Sequence, residues 1–346
     1  MLNNNLKSIS ILFCIITLAF CNCNQNKTEQ KKKIDVSEVS LQINLLRFEK
    51  DLMSKDSITS SRVQLFKFKY GTFFTLFCRK ICPIAIDMKN EGELIKQLNF
   101  FKFDKDIQII FAKTDSVYAD ITWLKNDLGE MFKHRKHYYP DSLVPQVITF
   151  ISAFNYAVIT TDSLLLIGLD KYLGSSCEFY PAMNYPVFMT NRLRKEYIMA
   201  NCIQALYQKD YNADDLKNET LAQMIYFGKM IYYTDMLAPE MSDTTKLGYT
   251  EKQLKWCFDN EEEIWTLLIE QKLLYATNPR TYLKLINDGP TTQGFPKESP
   301  ARLGYFIGWQ IVKAYMEKHA EITLSQLCKE TDAQKILSES GYKPHK

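Results

Sequence analysis

Few residues in this 346-residue chain are suited to chemistry at a metal or a proton-transfer site. Its four histidines are His134, His137, His319 and His345. The first two lie three apart in a basic segment, KHRKHYY, which has no acidic or cysteine ligand nearby. We therefore expect a solvated pair in a surface loop and not a metal site. His319 is expected at a helix end, where its ring can face the carbonyl dipoles.

The densest acidic run, residues 259–263 (DNEEE), is contiguous in sequence. On a helix such carboxylates fan around the axis, so we expect a solvated face. The chain also lacks HExxH, GxSxG, Walker and GxGxxG motifs. We therefore assign no catalytic residue, metal or cofactor, and the sequence favours a protein that is not an enzyme.

Nine cysteines are scattered through the chain, without a CxxC motif. This pattern is typical of buried small hydrophobic residues and not of a disulfide framework. Cys78 and Cys82 are four apart, and on a helix their Cβ atoms lie too far apart for a disulfide. The sequence does not exclude one disulfide between other cysteines if the compartment is oxidising.

The amino terminus predicts export and a lipid anchor. Residues 1–20 combine Lys7 with an apolar run, 9–20, which is too short to cross a bilayer and is typical of a signal peptide. The run ends in LAFC, which resembles a lipobox with Cys21 as the lipid-bearing residue. Phe20 departs from the small residue usual there, and Cys23 is a second candidate. Residues 21–34 form a predicted flexible, lysine-rich tether.

Residues 35–346 are expected to form a single α+β domain, with strands in the first half and a predominantly helical second half. We predict a half-buried strand over 39–48, a buried aromatic helix over 63–83 broken near Gly71, and a helix over 115–133. Segment 106–111 fits either a strand or a helix start. Two runs, 147–159 and 164–168, flank turn residues and predict an antiparallel hairpin. Later helices are predicted over 192–208, 218–237, 250–275, 299–318 and 333–340, and the third of these begins with a capping box at Thr250. A net charge of +3 without a large basic patch argues against a nucleic-acid partner.

The sequence resembles the gliding motility lipoprotein GldB family over nearly all of 35–344. The matching stretches are RFEKDL (47–52), FISAFNYAVITTDSLLLIGLDKYLG (150–174), RLRKEYI (192–198), QMIYFGKMIYYTDMLAP (223–239), LGYTEKQLKWCFDNEEEIWTLLIEQKLLY (247–275), ESPARLGYFIGWQIVKAYM (298–316) and DAQKILSESGYKP (332–344). The resemblance implies an envelope protein needed for gliding motility, which works beside the adhesin machinery and the type IX secretion apparatus. It implies no chemical activity.

A weaker resemblance is to zinc peptidases of the zincin type, in which a strand precedes the HExxH helix. On that alignment Gln204 and Gln208 stand where the two histidines would be, and Phe227 where a third ligand would be. Carboxamides are poor zinc ligands and phenylalanine is none, so this reading describes a degenerate fold without its metal. The alternative is an ordinary helix with two polar surface residues.

Three functions follow from these observations. The first is a non-enzymatic envelope component of the motility or secretion machinery, lipid-anchored and facing the periplasm. The alternative is an envelope hydrolase with an unconventional site near Gln204 and Gln208, using Glu196 and Asp235 as acids. The third is an export helper that holds clients on an exposed segment 63–83, whose aromatic residues we instead expect to be buried.

Overall fold

A computed structural model describes residues 34–82, 87–213 and 216–345. The predicted signal peptide, Cys21, Cys23 and nearly all of the predicted tether lie outside these residues. The four strands are β1 (Leu45–Arg47), β2 (Gln146–Phe150), β3 (Val158–Thr160) and β4 (Leu164–Gly168). They form one sheet in the order β1-β2-β4-β3. β1 and β4 both run parallel to β2, and β3 pairs antiparallel with β4.

Six helices precede β2 within residues 34–82 and 87–145. They are α1 (Phe48–Leu52), α2 (Ser60–Tyr70), α3 (Thr72–Leu76), α4 (Glu91–Phe103), α5 (Lys105–Val117) and α6 (Thr122–Tyr138), and a π-helical turn, Phe77–Ile81, follows α3. Gly71, with φ 50°, separates α2 from α3 as predicted, since glycine tolerates this positive φ at little cost.

Eleven helices follow β4 in the described part of the chain. They are α7 (Phe179–Ala182), α8 (Val187–Thr190), α9 (Ile198–Asp210), α10 (Thr220–Leu237), α11 (Asp243–Leu247), α12 (Glu251–Asp259), α13 (Glu261–Glu270), α14 (Pro279–Ile286), α15 (Leu303–Lys318), α16 (Leu324–Lys329) and α17 (Ala333–Ser340). Short 3₁₀ turns, Leu169–Tyr172 and Lys195–Tyr197, lie after β4 and before α9. The α+β prediction, with strands early and helices late, is confirmed. No helix in the described ranges is both long and apolar enough to cross a membrane.

The sheet separates two hydrophobic cores. Val147, Leu165 and Ile167 belong to the core shared with the later helices. Ile148 and Leu166, one residue along each strand, belong to the core built by the early helices. Successive strand residues point to opposite faces, so burial on both faces explains why β2 and β4 are almost wholly apolar.

The early core is aromatic. Phe48 lies at its centre, with ring centroids 4.8 to 5.5 Å from Phe66, Tyr70, Phe73 and Phe77. All five side chains are buried, and Phe66, Tyr70, Phe73 and Phe77 are so as expected for the 63–83 segment. The expectation was wrong for Phe68 of α2, which is 91% exposed. Edge-to-face contacts of this kind stabilise a core beyond the area they bury. The folded protein therefore does not present these rings to clients.

The two longest helices of the second half cross at glycine. A Cβ on Gly308 of α15 would lie 1.9 Å from the Met224 carbonyl oxygen of α10, and one on Gly228 would lie 2.2 Å from the Gly308 carbonyl carbon. Both positions need glycine because the two backbones touch there. This close approach fixes how α10 and α15 pack at the centre of the helical core.

Several predicted elements were wrong in extent. The strand over 39–48 is only β1, and α1 begins at Phe48. The run 147–159 contains two strands, of which β2 pairs in parallel; the hairpin is β3–β4 alone. Segment 106–111 is helical, within α5, and the helix over 115–133 is divided between α5 and α6.

The later boundaries also shift. The helix predicted from 299 begins at Leu303, because Arg302 adopts the left-handed conformation with φ 62°. The helix over 250–275 is two helices that meet at Asn260. The capping box of Thr250 with Gln253 and the helix over 333–340 are confirmed.

Candidate functional site

The two histidines of KHRKHYY do not form a solvated loop pair. They lie in helix α6, where His134 is buried with 7% exposure and only His137 is exposed. The buried face of α6 continues from Leu124 and Leu128 to this turn at helical spacing, which places His134 inward. Among the described residues, no group of three or more histidine, cysteine, aspartate or glutamate side chains is placed to hold a metal ion.

The acidic run is likewise only partly solvated. Asp259 ends α12, whereas Glu261 begins α13 and is fully buried. Its Oε1 accepts a hydrogen bond of 2.6 Å from the Tyr342 hydroxyl. Burial raises the pKa of the Glu261 carboxyl, and the Tyr342 hydrogen bond opposes that rise. The expectation of a fully solvated face was therefore wrong for Glu261, which joins α13 to the carboxyl-terminal segment.

Six cysteines, 78, 82, 177, 202, 257 and 328, are buried and unbonded. Burial raises the pKa of each of these thiols. They act as small core residues, as predicted.

Gln204, Gln208 and Phe227 have different surroundings. The Gln204 side chain on α9 donates a 2.9 Å hydrogen bond to the Lys246 carbonyl oxygen, and Gln208 is exposed. Phe227 on α10 stacks on Tyr305 of α15, with ring centroids 4.2 Å apart. Strand β3 does lie beside α9, where Lys209 pairs with Asp162 at 2.6 Å. The zincin correspondence of these three residues stays a prediction.

Asp235, singled out as an acid near Gln204, belongs to a buried ion pair. Its Oδ1 lies 2.7 Å from Lys246 Nζ, and its Oδ2 accepts a 2.7 Å hydrogen bond from the Trp309 indole. Burial is the largest single effect and lowers the pKa of Lys246, but the charges and hydrogen bonds of Asp235 and Asp243 together outweigh it, and the pKa is raised. The partly exposed Asp243 also contacts Lys246 at 3.0 Å. Glu196, the other acid singled out, is exposed at the opposite end of α9.

Asp170 is another buried acid, which the sequence did not indicate. Its Oδ2 accepts hydrogen bonds from the backbone amides of Ser152 and Phe154, both 2.8 Å long. Burial raises the pKa of Asp170 to about 6, while these amides oppose the rise. Ala153 and Phe154 have positive φ, so Asp170 holds a strained loop after β2.

A cavity of about 270 Å³ was not predicted as a site, although Thr250 and Gln253 of the capping box line it. Arg192, Arg302 and Asp288 line it, together with the start of helix α12. Arg192 pairs with Asp288, and Arg302 Nε lies 3.8 Å from the same carboxylate. Three separated segments supply these charges, so no local spacing could have revealed them.

The comparisons with known proteins give one match. The model of the family described as gliding motility protein GldB matches residues 29–344. The chain matches no curated protein and no solved structure.

Proposed function

Because the chain belongs to the gliding motility protein GldB family, we propose that it is a membrane-anchored lipoprotein of the cell envelope that serves gliding motility by binding other proteins. In this proposal its partners belong to the motility or type IX secretion machinery, and it contributes no catalysis of its own.

The anchor is proposed at Cys21, with residues 21–34 as the tether. Each methylene of a lipid chain buried in a bilayer contributes about 0.8 kcal/mol, so several acyl chains on one cysteine hold a protein firmly. Residues 22–26 carry no acidic side chain and the first charged side chain after Cys21 is Lys27. We place the domain on the periplasmic side of its membrane.

The contacts of Asp235 and Gln204 support a binding protein over the hydrolase alternative. Asp235, the acid considered for a hydrolytic site, is only 2% exposed and already holds Lys246 and Trp309. The Gln204 carboxamide donates to a backbone carbonyl. These groups have the partners expected of structural residues, because buried polar atoms are normally hydrogen-bonded and buried charges paired.

Genetics and fractionation test the proposal together. Deletion of the gene should abolish colony spreading, and the wild-type gene should restore it. Cys21→Ala should leave the protein in the soluble fraction and fail to restore spreading, whereas Cys23→Ala should behave as wild type. Normal gliding by the deletion strain would reject the proposal.

Purified protein separates binding from the hydrolase alternative. Affinity purification of the tagged protein from solubilised membranes should recover envelope proteins of the motility or secretion machinery. Stoichiometric zinc in the same preparation would instead favour a hydrolase and would contradict the proposal.

A further inference from the structure

Two arginines from the second half of the chain line the cavity of about 270 Å³, Arg192 before α9 and Arg302 before α15, together with Asp288 after α14. The Arg192 guanidinium pairs with one carboxylate oxygen of Asp288, and Arg302 Nε lies 3.8 Å from the other. One carboxylate thus faces two guanidinium groups. A third, more exposed arginine, Arg194, also lines the cavity and lies over the Tyr197 ring.

The two inner arginines are poorly solvated. Their side chains are 22% and 13% exposed, whereas that of Asp288 is 37% exposed. Burial lowers the pKa of Arg192, and the neighbouring charge of Arg302 lowers it further, although Asp288 opposes both effects. Arg302 Nε is buried and donates no hydrogen bond to any described residue. The pair therefore retains positive charge and donor capacity that Asp288 does not fully use.

The surrounding backbone holds these arginines in place. Gly248 has φ 69°, and a Cβ there would lie 2.7 Å from both Arg192 Cδ and Arg302 Nη2, so a larger residue would displace these side chains. Arg302 Nη2 donates a 2.7 Å hydrogen bond to the Leu247 carbonyl. The hydroxyl of Tyr249 donates to the carbonyl of Arg302 at 3.0 Å. The arginines thus have fixed positions and do not behave as mobile surface side chains.

The chemistry of the lining selects the ligand. A guanidinium presents planar N–H pairs that match a carboxylate or a phosphate. At the buried end of the cavity the two inner arginines beside Asp288 leave a single surplus charge, because Arg194 is exposed and lies over the Tyr197 ring. A monoanionic carboxylate balances this charge, and a dianionic phosphate exceeds it. Tyr249, Pro300 and Ala301 add apolar wall, and Gln253 adds a hydrogen-bonding amide. The volume is at the small end of ligand pockets, which suits a group of one or two residues.

We propose that this cavity binds a carboxylate-bearing ligand through Arg192 and Arg302. The ligand is either a free small carboxylate or the carboxyl terminus of a polypeptide, since both present the same group. Asp288 competes with this ligand for the two arginines. When no ligand is bound, its negative charge reduces the repulsion between Arg192 and Arg302.

Isothermal titration calorimetry on the full chain in mild detergent and low salt tests the site. The carboxylate probes are the monoanions propionate and N-acetyl-alanyl-alanine, and the reference probes are the amide of that dipeptide and inorganic phosphate. We expect both carboxylates, or one of them, to bind at millimolar concentration or below, and the amide not to bind. Tighter binding of the dipeptide identifies a polypeptide terminus, and tighter binding of propionate identifies a free small carboxylate.

Variants locate the binding in the cavity. Arg192→Gln and Arg302→Gln should each weaken binding at least tenfold, and Arg280→Gln, an exposed arginine on α14, should leave it unchanged. Asp288→Asn should strengthen binding several-fold because it removes the competing carboxylate. A misfolded variant cannot give that gain, so it separates ligand binding from structural damage. Absence of binding by both carboxylates, tighter binding of phosphate, or unchanged binding in the Arg192 and Arg302 variants would overturn the proposal.

Discussion

Replacing Gly308 with alanine sets two opposing effects against each other. In a helix interior alanine is favoured over glycine by about 1 kcal/mol, so an unobstructed site would gain stability. In this protein the new Cβ would lie 1.9 Å from the Met224 carbonyl oxygen and 2.6 Å from its carbonyl carbon. Both are backbone atoms of α10, which cannot move aside as a flexible side chain can.

The size of the cost follows from these distances. Ordinary contact of a Cβ begins near 3.4 Å, so α15 must retreat from α10 by roughly 1.5 Å. A gap of even 0.5–1 Å forfeits about a quarter to a half of the dispersion energy of each contact. Overpacked cores usually lose about 1–3 kcal/mol, and a clash between two backbones lies at the upper end. After the gain in helix propensity, we expect Gly308→Ala to lower the free energy of unfolding by about 2 kcal/mol or more.

Urea unfolding of the full chain in mild detergent, followed by circular dichroism, measures this difference. The matched control is Gly129→Ala in helix α6, where the nearest atom to a new Cβ is Ile43 Cγ1 at 3.9 Å. That substitution should stabilise the protein by up to about 1 kcal/mol, because only the propensity changes. If Gly308→Ala were as stable as Gly129→Ala, the close crossing of α10 and α15 would be refuted.

Three further predictions use the same preparation. Asp235→Asn should lower the free energy of unfolding by about 3 kcal/mol, because it leaves the Lys246 charge buried without its main partner. Asp243→Asn, on a 41% exposed side chain, should lower it by less than about 1 kcal/mol. Equal losses in the two variants would contradict Asp235 as the main partner of Lys246. The raised pKa of Asp170 means that the folded state binds its proton more tightly than the unfolded state, so stability falls as pH rises from about 4 to about 6. Urea titrations at several pH values should show that the Asp170→Asn variant loses less stability than wild type between about pH 4 and about pH 6. The same dependence of stability on pH in both proteins would count against the raised pKa of Asp170. The six buried thiols should react with iodoacetamide at pH 8 only after unfolding, and rapid alkylation of the folded protein, detected by peptide mass spectrometry, would disagree with their burial.

Local signals in the sequence predicted local structure well. The break at Gly71, the capping box of Thr250 and the helix over 333–340 each depend on residues within a few positions of one another. The amphipathic and apolar stretches also located the main helices of the second half. Side-chain hydrogen bonds at helix ends and the conformational freedom of glycine act over this short range, which explains the agreement.

The parallel pairing of the strands could not be predicted from local signals. Leu45 pairs with Val147, more than a hundred positions away, and no turn connects their strands. The apolar run after Pro145 fits a hairpin as well as a strand buried on both faces. For that reason the sequence separated β3 and β4 correctly but assigned β2 to the same antiparallel unit.

The sequence also did not predict which polar residues are buried. His134 sits in a strongly basic segment, so composition pointed to solvent, yet the apolar stripe of α6 carries it inward. Asp170 accepts hydrogen bonds from amides 16 and 18 positions away, and Asp235 accepts one from Trp309, 74 positions away. The arginine cavity likewise assembles from three segments. Such sites depend on tertiary contacts, and a single sequence contains no local spacing that reports them.

We propose that a lipid on Cys21 holds this protein where it acts, and mass spectrometry of the mature amino-terminal peptide is the sharpest test. We expect a peptide that begins at Cys21 and carries the mass of a diacylglycerol and its acyl chains. An amino-terminal peptide without lipid on either Cys21 or Cys23 would contradict it.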